Sequence, residues 1–164
     1  MPLTALPAAN FANTATGFAA LQAHAKANGY AIYRYNKSSI REVFACDRAR
    51  KYDSRGKNPS THSSKQRQGT GSKKCGCPMR VALRLDRVSG SWGVEVLEAA
   101  HNHSPSAAAT AHPAYRTAVI GPNIYTEIGK LACSGLLPRQ VLAVLRVSNP
   151  AIPLTAKDIS NITQ

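Results

Sequence analysis

The patterning of this sequence predicts an α+β fold: an N-terminal helix, about four antiparallel strands in two hairpins, and a small helical segment. Three observations carry that expectation. Apolar residues near the start recur at helical spacing, the middle of the chain alternates with period two, and helical periodicity returns beyond a stretch rich in alanine and proline.

Phe18, Leu21 and Ala25 share one helical face, Asn13 or Thr14 is available as N-cap, and Gly29 stands in the stop position. The spacing predicts a helix over 15–28. Residues 29–35 then switch to β-branched and aromatic composition, and residues 41–47 do so again across a short turn at 36–39, which reads as a hairpin. Residues 48–74 are rich in Ser, Gly, Lys and Arg and nearly free of apolar side chains, so they are expected to form a mobile basic loop outside any packed core.

A second hairpin follows. Val81, Leu83 and Leu85 alternate with Arg80, Ala82 and Arg84, and Trp92, Val94 and Val96 alternate after a turn at Ser89 and Gly90. Residues 104–113, with an alanine run and two prolines, read as a linker. Beyond it Ile124, Ile128, Leu131 and Ala132 share a helical face, residues 135–137 break it, and Pro138 suits the first turn of a helix carrying Val141, Leu142 and Leu145. Thr155 can cap a third helix. The expected organisation is a module over 11–104 containing the loop 48–74, a linker over 105–117, and a helical segment over 118–164 that is a candidate helix-turn-helix.

Neither part is large enough to rest on hydrophobic burial alone: the chain has 164 residues, 43% hydrophobic but only 6% aromatic. A covalent or metal staple is therefore expected. The net charge of +13 points to a polyanionic partner. Between Arg34 and Arg87 stand 15 basic residues against 4 acidic ones, so most of that charge is concentrated in one third of the chain. No run of 18 apolar residues is present, which argues against a transmembrane helix and a membrane partner. The first 25 residues lack the basic start and apolar run of a secretory leader, so the four cysteines are expected in a reducing compartment, where cysteine with histidine reads as metal before disulfide.

His101 and His103, one residue apart at the end of an expected strand, can direct two imidazoles toward one ion. Cys46 closes the first hairpin and Cys77 opens the second, giving the spacing C-x30-C-x23-H-x-H. Two sulfur and two nitrogen ligands suit a structural Zn²⁺. Taken singly, a buried cysteine is more often a small apolar residue, but the order Cys, Cys, His, His brackets four strands that need a staple. Cys75 competes with Cys77; Pro78 favours an extended conformation at Cys77, which makes Cys77 the preferred ligand. Cys133 is expected as a packed core thiol, and His24, His62 and His112 as ordinary surface residues.

The run Cys77-Pro78-Met79-Arg80 followed by His101-Asn102-His103 resembles the second half of a zinc finger of the WRKY and glial-cells-missing superfamily. The long basic insertion after Cys46, the run Phe44-Ala45-Cys46-Asp47-Arg48 and the later His112-Pro113 resemble its far-red-impaired-response type, found at the front of Mutator-like transposases and derived transcription factors. The resemblance spans about residues 11–116. It implies a four- to five-stranded antiparallel sheet with zinc at one end. The sequence with which WRKY proteins read DNA is absent, and Ile32-Tyr33-Arg34-Tyr35-Asn36-Lys37 stands in its place. Residues 135–139 and 158–161 resemble, more weakly, the region between finger and catalytic domain in those transposases.

On this reading the chain binds double-stranded DNA sequence-specifically in the nucleus, as a transposase or transposase-derived regulator, and acts as a homodimer or within a larger transposase chain. Tyr33, Arg34, Tyr35, Asn36 and Lys37 are expected to meet base edges in the major groove, Arg with guanine and Asn with adenine. Arg48, Arg50, Lys51, Arg55, Lys57, Lys65, Arg67, Lys73 and Lys74 are expected at phosphates, where a loop neutralises charge without fixed geometry. No catalysis is expected, because the eight acidic residues do not gather the carboxylates a two-metal nuclease requires. The competing class is a zinc-stabilised protein-interaction module whose basic loop docks an acidic partner. RNA is disfavoured by the want of an aromatic stacking platform, although Tyr33 and Tyr35 leave it open.

Overall fold

A computed structural model describes residues 9–51, 60, 62 and 72–164. The chain divides into two compact units, Met1–Pro105 and Ser106–Gln164. The first is α+β, as the patterning predicts. Strand β1 (Asn10–Phe11) is followed by helix α1 (Thr14–Ala27) and by strands β2 (Ile32–Lys37), β3 (Arg41–Cys46), β4 (Arg80–Leu85) and β5 (Trp92–Glu98). The five strands form one antiparallel sheet in the order β1-β5-β4-β3-β2. The fifth strand, β1, extends the two hairpins at the β5 edge.

Helix α1 begins one residue before the expected start. Asn13 caps it, its side-chain oxygen accepting from Thr16 N at 2.9 Å, and Gly29 leaves it at φ 73°, a left-handed value that suits glycine. Its apolar face lies on the sheet. Leu21 and Ala25 join Ile32, Phe44, Val81 and Leu83 in the core, and the Phe18 and Phe44 rings stack with centroids 5.1 Å apart. Each large aliphatic or aromatic side chain buried here contributes about 1.5–3 kcal/mol. Gly17 brings the helix against β4, for a Cβ there would lie 2.6 Å from Leu83 Cδ1. The alternation of the second hairpin holds in β4 and β5, where Trp92, Val94 and Val96 stand opposite Leu85, Leu83 and Val81, although Val96, toward the end of its strand, is 47% exposed. A register irregularity between Arg80 and Val81 accompanies it.

Among the described residues of this unit no helix lies on the other side of the sheet, which is covered by long polar side chains. Arg41 on β3 reaches across β4 to Glu95 on β5, Nη2 to Oε2 3.3 Å, and between their strands Ala82 is fully buried. Arg80 sits over the Tyr35 ring at 4.7 Å and Arg50 over the Tyr33 ring at 5.8 Å.

The second unit contains a short 3-10 turn (Ala109–Ala111), α2 (Pro113–Ala118), α3 (Pro122–Cys133), α4 (Pro138–Ser148) and α5 (Ala156–Ile162). Regular structure therefore begins inside the stretch read as linker. Prolines open α2, α3 and α4, where a missing N–H costs nothing. Gly135 at φ 83° turns the chain between α3 and α4, and Thr155 caps α5. Ile128, Val141, Leu142, Leu145, Ile152, Leu154 and Ile159 form the core. Two expectations fail in this unit. Cys133 is exposed, since it ends α3 on the face away from Ile128, and His112 is buried beside the Tyr115 ring, 5.7 Å between centroids. No helix among the described residues is long and apolar enough to cross a membrane.

Candidate metal centre

Cys46, Cys77, His101 and His103 lie together, with one ligand atom from each and all four atoms within 4.8 Å of one another. Sγ of Cys46 is 3.3 Å from Nε2 of His103, Sγ of Cys77 is 3.4 Å from Nδ1 of His101, and the two nitrogens are 3.2 Å apart. Both cysteines are buried and both histidines half-buried. This is a group able to hold a metal ion.

Three segments build it. Cys46 is the last residue of β3, and the chain turns there as Ala49 N donates to Cys46 O at 2.8 Å. The segment before β4 is stitched to the chain beyond that turn, because the Arg48 carbonyl accepts from Cys75 N at 3.0 Å and Cys77 N at 3.1 Å. Gly76 between them has φ 69°, a backbone that a side chain would strain. The third segment, 101–103, follows β5, which ends at Glu98, so the histidines stand on irregular chain and not at a strand end as expected. Asn102 fastens it: Nδ2 donates to Cys75 O at 3.0 Å and Oδ1 accepts from Cys75 Sγ at 3.1 Å. Cys75 thus supports the site from outside while Cys77 enters it.

The electrostatics suit a cation. Burial pushes the Cys46 thiol well up, and neighbouring Cys77 and Asp47 raise it further, so a positive charge between the sulfurs is needed to hold thiolates there. Burial, followed by the adjacent His103, lowers the His101 imidazole to about 4, leaving it neutral with a lone pair to offer. Nδ1 of His103 lies 3.0 Å from the Ser104 carbonyl; donation of its proton there leaves Nε2 free to coordinate. Tyr30 closes the inner side, its ring 4.5 Å from that of His101 and its hydroxyl raised to about 12 by burial and then by the two cysteines. Nε2 of His101 is buried with no hydrogen-bond partner among the described residues.

No family model, curated protein or solved structure matches this chain.

The residues expected at DNA divide by position. Tyr33, Arg34, Tyr35, Asn36 and Lys37 all lie on β2, the edge strand of the sheet; Tyr33 is half-buried and the other four are exposed. Arg50 and Lys51 are exposed after β3, Arg48 is half-buried there, and Lys73 and Lys74 are exposed before Cys75. Arg55, Lys57, Lys65 and Arg67 lie outside the described residues. Sequence reasoning missed Asn102 and Glu42. The second carried a signal, since an acid two and four residues before the inward Phe44 and Cys46 falls on the same face as the core.

Proposed function

We propose that the first unit is a zinc-stabilised module that binds double-stranded DNA in a sequence-specific manner through β2. Tetrahedral zinc with bonds of about 2.0 Å to nitrogen and 2.3 Å to sulfur has edges of about 3.3–3.8 Å. Three separations of 3.2, 3.3 and 3.4 Å, in a cluster spanning at most 4.8 Å, suit an ion of that size, and the sulfur and nitrogen donors favour it over an oxygen-seeking one. With two thiolates and two imidazoles all four positions are filled by protein, which favours a structural role over catalysis.

The observation that carries the DNA reading is that five polar and aromatic residues in a row occupy a sheet edge that no other described strand pairs, in a chain of net charge +13. A two-stranded ribbon fits a major groove about 12 Å wide, and an edge strand offers successive side chains to base edges. Arg50, Lys51, Lys73 and Lys74 supply charge for phosphates. The likeness of the cysteine and histidine segments to the WRKY and glial-cells-missing finger supports the same reading, together with a nuclear transposase or transposase-derived regulator as the parent class. The helices of the second unit fit an accessory helix-turn-helix on that reading.

Binding to duplexes selected from a random pool, measured against scrambled competitors over a range of salt, tests the proposal. Preference for one sequence with affinity falling steeply in salt is expected. Equal weak binding to every polyanion would instead favour docking of an acidic protein.

A further inference from the structure

Glu42 is 1% exposed and stands on β3 on the side of the sheet that carries Phe44, a position ordinarily apolar. A carboxylate there is costly unless it is paired. Its two partners both come from β2: Arg34 Nε at 3.0 Å from Oε2 and Lys37 Nζ at 3.4 Å from Oε1. In a regular strand, residues three apart point to opposite faces. Here the register shifts between Arg34 and Asn36, so that Arg34 stands opposite Phe44 while Lys37 stands opposite Glu42. The irregularity at Tyr35 brings both cations to one side, over one buried carboxylate.

We infer that Glu42 aims Arg34 at a guanine, making Arg34 the residue that fixes one G·C pair in the target and Glu42 its positioning residue. This rests on the reading of β2 as the DNA-contacting strand. Glu42 takes Nε and leaves the terminal nitrogens without a partner among the described residues, on a side chain 51% exposed. Those two nitrogens form the fork that matches guanine O6 and N7. Anchoring the arginine before DNA arrives removes much of the cost of ordering a long side chain. The adjacent carboxylate also weakens Arg34 as a simple counter-charge for phosphate while leaving its planar donor geometry intact, which favours a base edge over the backbone.

The test is selection of bound sites from random duplexes by the full chain, with wild type, Arg34→Lys and Glu42→Gln in parallel and thermal melting by circular dichroism as the control for folding. Wild type is expected to enrich a guanine at one fixed position. Arg34→Lys keeps the charge and loses the fork, so discrimination at that position falls about tenfold or more. Glu42→Gln lowers the same discrimination and spares the other positions. If Glu42→Gln does not fold, Glu42→Asp, which keeps the charge and shortens the reach, takes its place, and unchanged discrimination in a folded Glu42 variant overturns the positioning role. Unaltered guanine preference in Arg34→Lys overturns the inference, as does a selected site indifferent to Arg34. A wild type that enriches no sequence defeats the reading of β2 itself and this inference with it.

Discussion

Sγ of Cys46 lies 3.3 Å from Nε2 of His103 although the two residues are 57 positions apart. Cys46 ends the first hairpin and His103 lies near the end of the first unit's chain, so a metal shared by them ties that hairpin to the segment after the second. Cys77→Ala and His103→Ala should each remove a ligand and unfold the first unit, since structural zinc contributes about 10 kcal/mol or more to domains of this kind. Loss of the strand signal in circular dichroism, with the second unit's helical signal retained, is the expected readout. Native-like melting of either variant would remove the site from the account.

Cys75 and Cys77 should part company under substitution. Cys75 is exposed and hydrogen-bonded to Asn102 outside the cluster, whereas Cys77 is buried within it. Cys75→Ala is expected to retain one metal per chain with a stability loss of about 1 kcal/mol from the missing Asn102 contact. Cys77→Ala retains none. Metal analysis of the purified variants distinguishes them, and the reverse pattern would reassign the ligand.

The second unit should be sensitive to acid through Asp158. This carboxylate is 2% exposed; Arg116 binds it through Nε at 2.7 Å and Nη2 at 2.9 Å, and Thr155 donates to it from N and Oγ1. Burial raises its pKa, but the hydrogen bonds from Arg116 and Thr155 outweigh burial and hold it below the ordinary value of 3.8. A depressed folded value means that the stabilisation is fully present above that ordinary value and is lost as pH falls through the depressed one. Asp158→Asn should destabilise the unit by about 3 kcal/mol or more, because it leaves Arg116 largely buried without its counter-charge. Amide hydrogen exchange in α5 of the full chain checks both statements: faster exchange in Asp158→Asn at neutral pH, and in wild type only in strong acid.

Lys73→Ala should lower DNA affinity modestly with the fold unchanged. An exposed lysine before Cys75 that meets a phosphate releases about one counterion, so the slope of log affinity against log salt should fall by about 1. Selectivity among duplexes should stay the same. A changed preferred sequence would place Lys73 at a base and not at the backbone.

Much of the fold was legible because it follows local chemistry. Asn13, Gly29, Pro138 and Thr155 mark helix ends by capping and backbone preference, and the alternation through Val81 and Leu83 reports a sheet covered on one side. The four cluster residues stood out as a ligand set, yet what gathers them did not. The Arg48 carbonyl bonding Cys75 and Cys77, and Asn102 clamping Cys75, are contacts between segments far apart in sequence, and no periodicity encodes them. The irregularity at Tyr35 was equally hidden, for a strand shows a shifted register only against its partner. His112 and Cys133 were misplaced for a related reason: the burial of a single side chain near a helix end depends on which neighbour covers it.

Metal content and thermal melting of the intact chain, before and after treatment with a strong chelator, show whether the four residues hold a structural ion. One zinc per chain is expected, with its removal abolishing the cooperative unfolding of the first unit and its return restoring it. A chain that purifies without metal, or melts identically with and without chelator, would contradict the assignment of Cys46, Cys77, His101 and His103 as a structural zinc site.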